Sequence, residues 1–255
     1  MVIENVKGNY GFIRSGGPFS SGCVARPGFE IVHAAIHRFV PLARGFEFVE
    51  HHLKQAGRPI DALCAMELRI PQPLTIKAFE EFNRPYVARM QSWGLEVDGA
   101  NAVARTNVAL EVSPVPEAML AGFFYTARSD TKIADSKAAT FVLSGAAEMR
   151  VGKDGKREIV ASGDTSADGM RRKIEAVIEA LNEHLHELNL NWDLATAVNL
   201  YSIHDAYPAL ASTLLPSIGT AAQVGVKWYY SRPPVTGIDV EIDAHAVRRE
   251  IILTM

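Results

Sequence analysis

The histidine, cysteine and glycine patterns of this 255-residue chain exclude several kinds of chemistry. The eight histidines form no HExxH motif or comparable ligand set, so we expect no metal site. Cys64 has no histidine or basic partner nearby in the sequence, which argues against a thiolate nucleophile. No glycine-rich loop has the spacing of a nucleotide site, so we expect no cofactor. The groups that carry chemistry must therefore be sought through the fold.

One succession of elements occurs twice along the chain, as strand, helix, strand, helix and two closing strands. An internal repeat decides the architecture before single residues do. In the first half the sequence predicts helix 45–57, strand 62–70, helix 78–93 and strands 102–112 and 118–127. In the second half it predicts strand 140–149, helix 167–188, strand 194–203, a short helix 206–215 and strands 220–230 and 237–247.

The longer helices are amphipathic and imply a sheet beneath them. Apolar residues from Met170 to Leu188 recur at spacings of three and four, and charged residues lie between them. We therefore predict an α+β fold of two tandem domains, each a mixed sheet with helices on one face. The polar segment 127–137 breaks both patterns, so we place domain 1 at residues 1–127 and domain 2 at 128–255.

Composition narrows the class of protein further. The net charge of −3 gives no basic patch that would favour nucleic acid. No apolar run is long enough to span a membrane, and no signal peptide is apparent in the first residues. Two cysteines in a chain of this size favour a reducing compartment, so we expect a cytoplasmic protein.

Several short motifs, in order and in both halves, resemble the RidA/YjgF family of imine and enamine deaminases. The first half carries GGPFSSG (16–22), FNRPY (82–86) and ARTNV (104–108). The second half carries FVLSG (141–145) and VEIDAHAV (240–247). The resemblance implies a chorismate-mutase-like fold, a trimeric arrangement of domains and ligand clefts between neighbouring domains.

The resemblance assigns site residues unevenly to the two halves. In the first half, Arg105 matches the family arginine that binds a substrate carboxylate, and Asn83 matches the asparagine of the second helix. Phe19 stands where the family usually has a tyrosine. The family's serine position falls near His33, which makes this histidine a candidate for proton transfer. The family's late glutamate falls near Gly122, so that match fails.

The second half retains the groups that the first half lacks. Ser144 matches the family serine and Glu241 matches the glutamate, whereas the arginine position falls at about Ala221. Arg105 and Glu241 are therefore complementary, and we expect unlike domains to build one cleft. The simpler alternative is that divergence erased the site in each copy, which would make Arg105 and Glu241 ordinary strand residues.

An arginine and a glutamate in one cleft are the groups that hydrolysis of a carboxylate-bearing imine requires. An arginine fork binds a carboxylate through two hydrogen bonds. A buried glutamate with a raised pKa can orient or deprotonate a water molecule. The predicted substrate contacts are therefore Arg105, Asn83, Phe19 and Ser144, and the predicted catalytic residues are Glu241 and His33.

Taken with the resemblance, the sequence predicts a hydrolytic deaminase of a small carboxylate-bearing enamine or imine, of the 2-aminoacrylate or 2-aminomuconate type. Two alternatives stay open: a ligand-binding protein that lost catalysis, and different chemistry in the same cleft. The helix-free face of each sheet needs a partner, so we also expect a homo-oligomer, most simply a trimer of chains.

Overall fold

The structure is a computed structural model that describes residues 1–129, 139–152 and 157–254. The first half begins with three short strands and continues with the predicted alternation of strands and helices. Its elements are β1 (Val2–Asn5), β2 (Tyr10–Ile13), β3 (Gly22–Ala25), β4 (Phe29–Pro41), α1 (Leu42–Gln55), β5 (Leu63–Ile70), α2 (Ile76–Ser92), β6 (Glu96–Val97), β7 (Ala100–Asn101), β8 (Ala104–Leu110) and β9 (Met119–Arg128).

The second half follows the same plan with one long helix. Its elements are β10 (Phe141–Ala147), β11 (Met149–Val151), β12 (Arg157–Ile159), α3 (Ala167–Glu187), β13 (Ala197–Tyr201), α4 (Tyr207–Ala209), a π-helical turn (Leu210–Leu214), α5 (Leu215–Ser217), β14 (Lys227–Tyr229), β15 (Ser231–Arg232), β16 (Glu241–Ala246) and β17 (Arg249–Leu253). The prediction of a strand over 220–230 was wrong in its first part, because Gly219–Val224 forms a 3-10 helix. This helix ends at Gly225, whose φ of +81° favours glycine.

Two large mixed sheets share strands from both halves of the chain. The seven-stranded sheet has the order β1-β2-β3-β10-β16-β13-β14, and the six-stranded sheet has the order β15-β8-β5-β9-β4-β17. Strand β3 pairs with β10, while β17 pairs in parallel with β4. Each sheet is thus completed by the other half. The domain boundary at 127/128 stays a prediction, and most of the predicted junction lies outside the described residues.

The helices cover one face of each sheet, as predicted. Apolar side chains of α3 pack with Phe141, Leu143 and Ile242 of the seven-stranded sheet. Those of α1 and α2 pack with Met66, Leu68 and other residues of the six-stranded sheet. Side-chain hydroxyls cap two of these helices at their first turns, where backbone N–H groups lack helical partners.

The helix-free faces of the two sheets meet inside the chain. A third apolar cluster there combines Phe12 and Val142 of the seven-stranded sheet with Ala65 and Phe124 of the six-stranded sheet. Beyond this cluster the space between the sheets is polar. Part of the sheet face for which we expected a partner chain is therefore covered within one chain.

Lys173 of α3 is an ion buried beneath the seven-stranded sheet. Its Nζ lies 2.6 Å from Asp239 Oδ2 and 3.5 Å from Glu148 Oε1, and its side chain is 0% exposed. Glu148 also accepts hydrogen bonds from the backbone N–H groups of Asp239 and Val240. The lysine compensates carboxylates that would otherwise be buried without a cation.

Replacing this lysine should therefore be costly. We expect Lys173→Met to lower the free energy of unfolding by about 3–5 kcal/mol, because it leaves a buried carboxylate uncompensated. Urea denaturation measures the change. Arg171→Met on the exposed side of α3 is the control, and its loss should stay below about 1 kcal/mol because surface ion pairs contribute little. Equal losses in the two variants would contradict this account.

Candidate active site

Arg105 lies in the interior with most of its guanidinium unpaired. Its side chain belongs to β8 and the residue is 2% exposed. Nη2 donates a 2.7 Å hydrogen bond to Asn83 Oδ1 on α2. Nε and Nη1 have no hydrogen-bond partner among the described residues. The predicted pair of Arg105 and Asn83 is thus in contact, and two nitrogens of the guanidinium, Nε and Nη1, remain available as donors.

Aromatic rings surround this guanidinium. Its central carbon lies 4.5 Å from the centroid of the Phe19 ring and 4.6 Å from that of Tyr86, with Phe79 and Phe82 at 5.7 and 6.0 Å. Ring faces attract a cation but supply no hydrogen-bond acceptors. Burial lowers the pKa of Arg105 to about 10, which leaves it charged at neutral pH.

Further unpaired polar atoms lie near Arg105 in the sequence and the fold. Asn107, two residues along β8 and so on the same side of the strand, has neither side-chain atom hydrogen-bonded among the described residues. The Tyr86 hydroxyl is also buried and unpaired there, and burial raises its pKa to about 12. Buried polar atoms normally have partners, so a set of them calls for a bound ligand or water. We call Arg105, Asn83, Asn107, Tyr86 and Phe19 the arginine site.

Glu241 at the start of β16 is a carboxyl group held in its neutral form. It is 4% exposed, and burial together with the charge of Asp243 raises its pKa to about 8. The backbone N–H of Asn107 and the charge of Arg105 oppose this shift. Gly145 leaves room for this side chain, since a Cβ at position 145 would overlap the Glu241 carboxyl where it now lies. Glu241 is thus protonated at neutral pH and electrostatically coupled to Arg105.

Ser144 joins the two sheets beside the arginine site. Its hydroxyl accepts a 3.0 Å hydrogen bond from the backbone N–H of Arg105 and donates a 2.6 Å hydrogen bond to the Ser20 carbonyl. These bonds give Ser144 a structural task. Its contact with substrate, like those of Arg105, Asn83 and Phe19, stays a prediction.

His33 lies apart from the arginine site, in a cavity of about 440 Å³ between the two sheets. Its Nε2 lies 3.3 Å from Glu67 Oε2 and its Nδ1 lies 3.3 Å from Glu250 Oε1. Burial alone would lower the pKa of His33, but the charges of Glu67 and Glu250 raise it overall. The same pairing, with help from Arg69, offsets burial and lowers the pKa of Glu67 to about 2.

This cavity, which we call the inter-sheet pocket, is lined by residues of both halves. Its charged and aromatic members are His33, Phe39, Glu67, Arg69, Lys227, Tyr229, His245, Arg248 and Glu250. Burial, together with the charge of His33, lowers the pKa of His245 to about 4, so it is neutral at neutral pH.

Asp243 organises the wall behind this pocket. It accepts hydrogen bonds from Thr106 Oγ1 at 2.6 Å, Asn199 Nδ2 at 2.7 Å and Tyr201 Oη at 2.9 Å. Burial and the charge of Glu67 nevertheless raise the pKa of Asp243 to about 6. Since Thr106 belongs to one sheet and Asp243 to the other, this hydrogen bond also joins the sheets.

The sequence prediction missed Glu67, Arg69, Asp243 and His245. For Asp243 and His245 the sequence did contain a signal. Together with Glu241 they occupy every second position of β16, so the three side chains share one face. Glu67 also explains Gly122, where the family pattern has a glutamate. A Cβ at position 122 would overlap the Glu67 carboxylate, so this strand carries a glycine where the neighbouring strand carries a carboxylate.

Comparison with known proteins places the chain in a family. Residues 2–251 match the model of the 2-aminomuconate deaminase CnbZ. The chain belongs to this family. A 2-amino-5-chloromuconate deaminase of Comamonas testosteroni is 38% identical over 96% of each chain. The prediction of a deaminase acting on a C–N bond is thereby confirmed.

The fold of this deaminase is similar to that of a protein of known structure. A chorismatase resembles it with a TM-score of 0.56 at 11% identity, over 89% of this chain and 77% of that one. At that identity the likeness concerns the fold alone, and it confirms the predicted α+β class. Within the described residues, no helix is long and apolar enough to span a membrane, and no cluster of potential ligands for a metal ion is found.

The raised pKa of Glu241 predicts how stability changes with pH. A group whose pKa is higher in the folded state stabilises the protein below the unfolded-state pKa of about 4.5, and this contribution is lost as pH rises towards about 8. Relative to Glu241→Gln, the wild type should therefore lose about 2 kcal/mol of unfolding free energy between about pH 6 and about pH 7.5.

Denaturation in urea at a series of pH values measures this difference. Glu117→Gln, at an exposed position, is the control and should follow the wild type. Parallel pH profiles for the wild type and Glu241→Gln would show that Glu241 is ionised in the folded protein.

Proposed function

We propose that this protein hydrolyses the C–N bond of a 2-aminomuconate-type substrate, and that the arginine site binds the substrate carboxylate next to that bond. Family membership supports the reaction class. The observation that carries the location is the buried guanidinium of Arg105, whose Nε and Nη1 lack partners among the described residues. A carboxylate there gains two charged hydrogen bonds and neutralises a cation that burial has destabilised.

The substrate class defines what the site must do. 2-Aminomuconate is a conjugated six-carbon dicarboxylate whose amino group is on the carbon beside one carboxylate. Protonation of an enamine carbon gives the iminium ion, water adds to the C–N carbon with loss of a proton, and the carbinolamine loses ammonia to leave a ketone. The overall change is enamine plus water to ketone plus ammonia.

Glu241 has the protonation state that the first step of this reaction requires. As a neutral acid with a pKa of about 8 it donates the proton to the enamine carbon. The resulting carboxylate then accepts a proton from the water that attacks the imine, which restores the acid. Glu241 next protonates the amine nitrogen as ammonia leaves, and it takes up the proton of the carbinolamine hydroxyl as the ketone forms, so the acid is restored at the end of the cycle.

Phe19 controls access to Arg105 in this proposal. Its ring covers the guanidinium and occupies space that a substrate carboxylate requires, so it must move for binding. Outside it, a groove of about 450 Å³ runs beside Asn83 and is bordered by Gly16, Gly17 and Pro18 of the segment before Phe19. This groove provides a route from solvent to the arginine site.

Removing the guanidinium tests the anchor. We expect Arg105→Ala to lower kcat/KM by about 100-fold or more, because charge-assisted hydrogen bonds to the carboxylate are lost. Arg105→Lys should restore only part, since lysine lacks the bidentate fork. Ammonia release from 2-aminomuconate generated in situ measures turnover.

Arg89→Ala on the exposed side of α2 is the matched control and should leave turnover unchanged. A folded Arg105→Ala protein with full activity would contradict the proposed anchor. Binding without ammonia release in the wild type would instead favour the non-catalytic alternative.

The role of Glu241 predicts a separate kinetic signature. We expect Glu241→Gln to lower kcat much more than it changes KM, because the amide keeps the shape but cannot transfer the proton. Since the acid form is needed, kcat/KM of the wild type should fall as pH rises above about 8. Initial rates over a pH series test this, and unchanged kcat in Glu241→Gln would refute the role.

We further propose that the chain forms a homo-oligomer, most simply a trimer. The edge strand β14 and its surroundings expose Trp228 and Tyr230 at 39% and 56%, which supports a contact at this edge. Light scattering should then give about three times the chain mass of 27.8 kDa. A monomer mass at micromolar concentration would overturn the proposal.

A further inference from the structure

We propose that the inter-sheet pocket is a second ligand site, which binds a planar conjugated carboxylate through Arg69 and is separate from the arginine site. The pocket holds about 440 Å³ between the two halves of the chain, which is ample for a ligand of this class. Nothing in the proposed reaction uses it. Its binding groups are nevertheless built into both sheets.

Arg69 is the principal anchor. It is 6% exposed and lines the pocket, yet within the described residues its guanidinium makes one hydrogen bond, from Nη1 to the Leu68 carbonyl at 2.9 Å. The described part of the chain shows no carboxylate in salt-bridge contact with it. Most of its N–H groups are therefore available to a ligand in a fixed fork geometry.

Aromatic groups hold the fork in place. The Arg69 guanidinium lies 5.9 Å from the centroid of the Phe39 ring and 6.0 Å from that of Tyr201. Tyr201 is fixed by its hydrogen bond to Asp243 and stacks on Tyr229 at 5.0 Å. Because Tyr229 and Phe39 line the pocket, a flat conjugated ligand can lie against rings while its carboxylate meets Arg69.

The charge of the lining favours an anion with two carboxylates. Of the three cationic side chains that line the pocket, Arg248 is already paired with Glu30, while the carboxylates of Glu67 and Glu250 flank His33. Arg69 is buried, whereas Lys227 on the edge strand β14 is exposed and has no ion pair within the described residues. A dicarboxylate thus finds one cation inside the pocket and a second at its mouth.

This pocket is distinct from the arginine site because the two arginines face opposite sides of one sheet. Arg105 contacts Asn83 and the rings of α2, on the helix-covered side. Arg69 contacts Phe39 and Tyr201, on the side that faces the other sheet. One small ligand cannot bind to both guanidinium groups at once.

The stoichiometry of muconate binding tests the proposal. Muconate carries both carboxylates and the conjugated chain but no amino group, so it is not turned over. By calorimetric titration we expect the wild type to bind two muconate molecules per chain. The Arg69→Gln variant and the Arg105→Gln variant should each bind one. Arg69→Lys, which keeps the charge, should retain the second site with reduced affinity, and its melting curve checks the fold.

Lys227 provides an independent readout. We expect Lys227→Met to weaken muconate at the second site by about tenfold, the size of one charge-assisted contact, and to leave sorbate unaffected because a methyl group replaces its second carboxylate. Lys77→Met, at an exposed position on α2, is the control.

The outcomes separate this inference from the proposed function. One bound muconate that Arg69→Gln abolishes and Arg105→Gln does not would support the pocket and refute the arginine site as the anchor. One bound muconate that Arg105→Gln abolishes, with Arg69→Gln unchanged, would overturn the second site and leave the proposed function standing.

Discussion

A buried arginine without a carboxylate partner is the constraint on which the account of this protein depends. Arg105 keeps its charge although burial lowers its pKa to about 10, and its described neighbours are aromatic rings, an amide and a neutral acid. An uncompensated ion in the interior costs free energy, which the rest of the fold must supply. The carboxylate of the proposed substrate would offset that cost through charged hydrogen bonds, and so the proposed function gives the buried arginine a physical reason.

Glu241 is neutral although the charge of Arg105 opposes this, because burial and the charge of Asp243 outweigh it. It shares one face of β16 with Asp243 and His245, and the sheets bury that whole face. Burial disfavours the charged form of each acid and the neighbouring carboxylates add to this effect, so the pKa values of Glu241 and Asp243 rise to about 8 and about 6. Burial of a polar strand face between two sheets thereby keeps a carboxylic acid neutral at neutral pH, which is the state that the proposed proton transfer requires.

The sharing of strands between the halves explains why this interior exists. Strand β3 completes the sheet of the second half and β17 that of the first, which holds the helix-free faces against each other. The hydrogen bond from Thr106 to Asp243 and those of Ser144 then join the sheets through polar groups. Divergence of the two copies has placed unlike residues on the facing surfaces.

Much of the fold was predictable because helix periodicity and the repeat are local signals. The helix α3 and strand β5 lie close to their predicted bounds, whereas 220–230 misled because an apolar run without clear alternation fits a helix as well as a strand. Asn83 and Phe19, which contact Arg105, were predicted as site residues from short sequence motifs. Glu67 and Arg69 were not, because their importance arises from pairing between strands that are distant in sequence.

The pairing of β17 with β4 shows this limit most clearly. It brings Glu250 to His33 from the far end of the chain, and no local pattern specifies that contact. Strand partners of this kind depend on which edges remain open after each half has folded. The inter-sheet pocket therefore could not be predicted from the sequence, because its residues are brought together by strand pairing that no local pattern specifies.

The most direct test of the central claim is a crystal structure with bound muconate. The account predicts a carboxylate within hydrogen-bond distance of Nε and Nη1 of Arg105, with the Phe19 ring displaced from the guanidinium and Glu241 beside the conjugated chain. A structure at saturating muconate in which Phe19 still covers an unliganded Arg105 would contradict it.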